Sequence, residues 1–134
     1  MKRYVADTHS ILWHLARDRR LSRQARKIFD SAEEGYAQVL IPSIVLVEAV
    51  FLMQRQRVPE AQVSRLFALS EDMDANFYVV PLNIAVAQAV GDFGPAAVPD
   101  LPDRIIAATA RALGVPLITG DPLIAESDLV TVVW

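Results

Sequence analysis

The chain has 134 residues, 53% of them hydrophobic, no cysteine, and a formal net charge of −3. That length suits one domain with a single filled core, and the missing cysteines exclude disulfides, thiol catalysis and thiolate metal sites. Mild acidity argues against a protein that coats nucleic acid by bulk charge, and no apolar run reaches the roughly 18–20 residues of a membrane helix.

The apolar fraction is high for so small a globule, so part of that surface is expected to meet another subunit or a partner chain. Met1-Lys2-Arg3-Tyr4-Val5-Ala6-Asp7 reaches a charge too soon for a signal peptide, and the absence of cysteine is consistent with a reducing cytoplasm. Arginine outnumbers lysine, which occurs only as Lys2 and Lys27. Arg17, Arg19, Arg20, Arg23 and Arg26 form the one dense basic run, either a solvated helix connection or a patch that contacts RNA.

In chain order, residues 3–6 read as a short strand, and Thr8 as the cap of a helix through Leu15. Ser22 caps a second helix whose stripe is Ile28, Phe29 and Ala32, ending near Gly35. Val39 to Ile41 is a second strand closed by Pro42, after which Ser43 caps a third helix to about Arg55. Pro59 opens a fourth helix with Val63, Leu66, Phe67 and Leu69 inward. Phe77 to Val80 is a third strand, and Asn83 caps a helix around Ala85 to Val90. Residues 91–102 form a Gly/Pro-rich loop, leading to a helix from Asp103 to Leu113 that stops at Gly114. Pro116 to Thr119 and Val130 to Val133 are the fourth and fifth strands. Short apolar strands alternating with helices predict an α/β fold, a single domain over 1–134 with a central parallel sheet of about five strands flanked by helices.

Four carboxylates stand out in this frame. Asp7 and Asp121 each follow a strand, which places them at the carboxyl edge of the sheet, where such folds bind ligands. Asp103 opens a helix after the long loop. Glu48 interrupts the apolar stretch from Ile44 to Met53, so a helix that turns it outward must also expose apolar neighbours. Each acid has an ordinary reading taken alone: a first-turn residue for Asp103, a turn for Asp121, a helix start for Asp7. A buried carboxylate such as Glu48 needs an arginine partner or a cation. One pocket accounts for all four. Its all-oxygen donors suit Mg²⁺ or Mn²⁺, and one or two such ions, roughly 3.5–4 Å apart when paired, serve displacement at phosphorus. Thr8 and Thr119 are placed to orient a carboxylate or a bound water.

The opening Val5-Ala6-Asp7-Thr8-His9-Ser10-Ile11-Leu12-Trp13 resembles that of PIN-domain proteins, particularly the VapC-type toxins of bacterial toxin–antitoxin pairs. The similarity continues through Pro42-Ser43 and Glu48, through Asp100-Leu101-Pro102-Asp103-Arg104-Ile105-Ile106-Ala107-Ala108, and ends with Leu117-Ile118-Thr119-Gly120-Asp121. It implies that Asp7, Glu48, Asp103 and Asp121 are the catalytic, metal-holding quartet, supported by Thr119. It further implies a Mg²⁺- or Mn²⁺-dependent endoribonuclease, inhibited by a cognate antitoxin and homodimeric. One departure is Asp100-Leu101-Pro102 in place of the more familiar Asp-Pro-x spacing before Asp103.

Rival classes fit less well. A phosphoacceptor receiver domain needs a lysine near its last strands, and none follows Lys27; a haloacid-type phosphatase needs an acid where His9 stands. A PIN-fold binding module, catalytically weak or inactive and acting through its protein partner, is the non-enzymatic alternative. His9 and His14 are candidate bases, though His14 fits its helix. Trp13, Phe51 and Met53 read as core residues or as the wall of a partner groove. Arg104 is placed to steady a neighbouring acid or to touch a phosphate.

Overall fold

A computed structural model describes all 134 residues. Five short strands form one sheet: β1 (Lys2–Ala6), β2 (Ala37–Pro42), β3 (Phe77–Val80), β4 (Leu117–Ile118) and β5 (Val132–Val133). Their order is β3-β2-β1-β4-β5, and every neighbouring pair is parallel. Parallel strands need crossovers, which are supplied by seven helices: α1 (Thr8–Ala16), α2 (Arg23–Glu33), α3 (Ser43–Gln54), α4 (Glu60–Glu71), α5 (Ile84–Val90), α6 (Leu101–Leu113) and α7 (Pro122–Ser127). The central strands are apolar because both of their faces are covered: Val5, Val39, Ile41, Leu117 and Ile118 have no exposed surface.

The strand order decides where a site can form. From β1 the chain steps outward to β2 and β3, then returns to the other side of β1 for β4 and β5. A crevice opens beyond the carboxyl ends of the two strands that flank such a reversal. Val5 pairs with Leu117 and Ala6 with Ile118, so Asp7 and Thr119 are the first residues beyond the paired edge.

Most elements lie where the sequence places them, with shifts at their ends. Asp7, not Thr8, caps α1, because its side chain reaches the Ser10 N–H and leaves Thr8 as the first helical residue. Pro42 occupies the cap position of α3, and the Ser43 hydroxyl instead accepts from the Leu82 N–H at 3.2 Å. Pro59 is likewise a cap residue ahead of Glu60, not a first-turn residue. Helix α6 starts at Leu101, two residues before Asp103, with Asp100 as its cap. The fourth and fifth strands shrink to two residues each, and α7 replaces the turn expected at Asp121-Pro122. Ser22, Asn83 and Gly114 cap their helices as expected, Gly114 with φ of 66°.

Arg104 does something other than steady an acid or await a phosphate. Its guanidinium donates to the backbone carbonyls of Val98 (2.8 Å), Gly94 (2.9 Å), Pro95 (3.1 Å) and Phe93 (3.3 Å). One planar fork thereby ties the 91–100 loop to the first turns of α6. Hydrogen bonds to a charged donor are worth about 1.5–3 kcal/mol each before the donor's own desolvation and ordering are counted. We expect Arg104→Met to lower unfolding stability by about 2–3 kcal/mol in urea titrations, and to raise amide exchange across residues 93–100 above that of the sheet.

Candidate metal centre

The crevice beyond β1 and β4 is a cleft of about 690 Å³, and Asp7, Glu48, Asp103 and Asp121 all line it, together with Asp100. Asp7 forms its floor. One carboxylate oxygen accepts from the Ser10 N–H at 2.9 Å and the other from the Thr119 hydroxyl at 2.5 Å. Burial pushes the Asp7 carboxyl above the usual range, and the bonds from Thr119 and Ser10 oppose that rise. Thr119, itself fully buried, also accepts from the Asp121 N–H at 3.1 Å. Asp121 caps α7 by accepting from the Leu123 N–H at 2.9 Å.

Glu48 is the sixth residue of α3 and reaches across to α1, where the buried Thr8 hydroxyl donates to it. Thr8 and Thr119 thus perform the same task on two different acids: each fixes a carboxylate by its hydroxyl. No arginine or lysine bridges any of these acids; the four ion pairs of the chain lie elsewhere. The arginine partner that would make Glu48 an ordinary buried pair is therefore absent.

The tightest grouping is not the quartet as read from the sequence. Glu48, Asp100 and Asp103 bring carboxylate oxygens within 4.8 Å of one another. In the sequence, Asp100 stands out only by its spacing before Asp103. Its signal was local: an Asp three residues before another acid at a helix start caps the helix, and its side chain accepts from the Asp103 N–H at 3.1 Å. Capping holds Asp100 and Asp103 on the same side of the first turn. Desolvation is the largest cause that lifts Asp103 to about 7, followed by the charges of Asp100, Asp121 and Glu48.

This donor set fits a hard divalent cation. It is all oxygen, three of its carboxylates converge, and none of them is ion-paired. Neither histidine belongs to it. His14 is buried, hydrogen-bonded to Glu33 at 3.0 Å and stacked on Phe29 at 4.7 Å, so it is a core residue. His9 is exposed on the cleft rim. Phe51 is not a core residue either: 58% of it is exposed on α3, beside Val47 at 50%, while Met53 and Trp13 are partly buried.

Comparison with known proteins agrees with this architecture. The family model of the PIN domain matches residues 4–128, and the chain belongs to the PIN-domain family. Among solved structures it is similar to a toxin–antitoxin complex from Klebsiella pneumoniae at 25% identity and a TM-score of 0.64, covering 98% of this chain and 96% of that one. It also shares its fold with DNA-bound VapBC from Salmonella typhimurium (16% identity, TM-score 0.73, 99% and 98% covered). FitAcB from Neisseria gonorrhoeae is similar at 20% identity and a TM-score of 0.67, with 96% and 95% covered. Among curated protein sequences, none matches the chain.

The raised Asp103 value has a direct consequence. Its folded-state pKa of about 7 exceeds the ordinary 3.8, so without metal the folded state holds a proton that the unfolded chain releases. The stability this contributes is complete below about pH 4 and is lost as pH rises through about 7. In EDTA, thermal melts of the unmodified protein should therefore fall between pH 5 and 8 relative to those of Asp103→Asn. Added Mg²⁺ should recover most of the loss at pH 8, because an ion bound to the folded state stabilises it.

Proposed function

We propose that this chain is the toxin of a toxin–antitoxin pair, acting in the cytoplasm as a divalent-ion-dependent endoribonuclease on RNA phosphodiester bonds. The observation that carries the reading is the convergence of Asp7, Glu48, Asp103 and Asp121 on one cleft with no arginine or lysine paired to any of them. Glu48 and Asp103, joined by Asp100, would hold a Mg²⁺ or Mn²⁺ ion, with Asp7 and Asp121 completing the acidic wall. Such an ion would offset this charge and supply Lewis-acid activation for hydrolysis of the phosphodiester.

The residues of the chain do the positioning. Thr119 and Ser10 hold the Asp7 carboxylate in one orientation, and Thr8 does the same for Glu48. The N-terminus of α7 keeps Asp121 at the rim by its capping bond. Thr119 connects Asp7 to the Asp121 backbone, so two acids far apart in sequence share one hydroxyl.

The solved complexes similar to this chain support an antitoxin as the protein partner, and the exposed apolar face of α3 supports a homodimer. Val47 and Phe51 present that face one helical turn apart. Phe51→Glu should shift the protein toward monomer in sedimentation measurements and remove the concentration dependence of its melting temperature.

Purified protein, free of antitoxin, should degrade cellular RNA when Mg²⁺ or Mn²⁺ is supplied and not in EDTA. Asp7→Asn should abolish this cleavage, and Thr119→Val should slow it about 10- to 100-fold, the usual cost of losing a group that orients a metal-binding carboxylate. Folded protein that binds metal but cuts only selected transcripts would narrow the substrate. Folded protein that binds no metal would overturn the nuclease reading in favour of a catalytically inactive PIN-fold module that acts through its protein partner.

A further inference from the structure

The cleft has two chemically different kinds of lining. Beside the acids, His9, Trp13, Trp134 and Arg20 line the same space. His9 and Trp13 are four residues apart on α1, which sets them on one helix face, with ring centroids 5.5 Å apart. Trp134 follows β5, and its ring centroid lies 6.0 Å from that of Trp13 with the planes tilted by 58°. The Arg20 guanidinium lies 4.8 Å from the centre of the Trp13 ring. Two bonds to Asp18, at 2.7 and 3.1 Å, hold that guanidinium in place.

Core packing accounts for only part of this arrangement. Both tryptophans lean on the core yet keep exposed surface, and His9 and Arg20 are exposed outright. The backbone makes room for Trp134: a Cβ at Gly120 would lie 2.9 Å from its ring. Two aromatic rings, an imidazole and a fixed guanidinium thus form a wall of flat, partly open π surfaces. Flat π surfaces in a groove beside a phosphodiester site match an unpaired nucleobase, which stacks on aromatic and guanidinium planes. A paired base buries both of its faces in the helix stack and offers nothing to such a wall.

We propose that His9, Trp13, Trp134 and Arg20 form a base-stacking subsite that binds an unpaired nucleotide of RNA next to the phosphodiester held by the acids. This rests on the nuclease reading for the identity of the ligand. It assigns these residues to positioning and to selection of single-stranded RNA, with no part in bond breaking.

The chain supplies its own reporter, since its only two tryptophans both stand in this wall. The full-length Asp7→Asn protein in Mg²⁺ would be titrated with a short single-stranded RNA, with the same RNA in duplex form, and with an oligonucleotide of equal length lacking bases. Single-stranded RNA should quench the tryptophan fluorescence, and the other two should not. Trp13→Leu and His9→Ala, each checked by its melting temperature, should weaken single-strand binding roughly 5- to 100-fold, the range that base–aromatic stacking spans. In the protein that retains Asp7, the same substitutions should raise KM far more than they lower kcat. Equal affinity for the base-free oligonucleotide, or unchanged binding by a folded His9→Ala and Trp13→Leu pair, would overturn the subsite. Cleavage that persists beside base-independent binding would reject the subsite alone. Base-dependent quenching without cleavage would keep the subsite and reject the nuclease.

Discussion

Like charges held together in a partly dry cleft are the constraint around which this structure is arranged. Glu48, Asp100 and Asp103 approach within 4.8 Å, with Asp121 near enough to disturb Asp103. Each comes from a different place in the chain or is fixed by a different local device. Helix caps hold Asp7, Asp100 and Asp121, and threonine hydroxyls hold Asp7 and Glu48. Rigid elements therefore bear the repulsion, because flexible ones would splay apart and relieve it. A site strained in this way is ready for a cation, since the ion removes a cost that the fold has already met.

The reversal in strand order is what makes the convergence possible. With β1 at the centre and β4 beside it, the residues just past both strands fall at one edge, and the crossover helices bring α3 and α6 to the same rim. Arg104 extends this logic to the long loop. By collecting four loop carbonyls it fixes the segment that leads into Asp100.

The sequence revealed the sheet and most helices because their signals are local: apolar runs for the buried parallel strands, and Ser22, Asn83 and Gly114 at helix ends. It pointed to Glu48 because an acid inside the otherwise apolar stretch from Ile44 to Met53 demands a reason. It misread ends where two residues compete for one role, as with Asp7 against Thr8, and Pro42 against Ser43. Helix α7 escaped notice because Gly120-Asp121-Pro122 reads as a turn until the tertiary fold extends it by six residues. The role of Asp100 was concealed by its ordinary look as a spacer. Arg104 was misjudged because its partners are carbonyls, which leave no mark in composition. The aromatic wall was out of reach for another reason: Trp13 and Trp134 meet only through the pairing of β4 with β5 and the crevice beside β1.

The contact between Gly120 and Trp134 carries an evolutionary consequence. With the ring 2.9 Å from where a Cβ would stand, any side chain at position 120 requires the Trp134 ring to leave its place. A lineage that trades away this tryptophan frees position 120 to drift, and one that gains bulk at 120 must first shrink 134. The two positions, separated by a helix and a strand, are therefore sterically coupled: bulk gained at one favours bulk lost at the other.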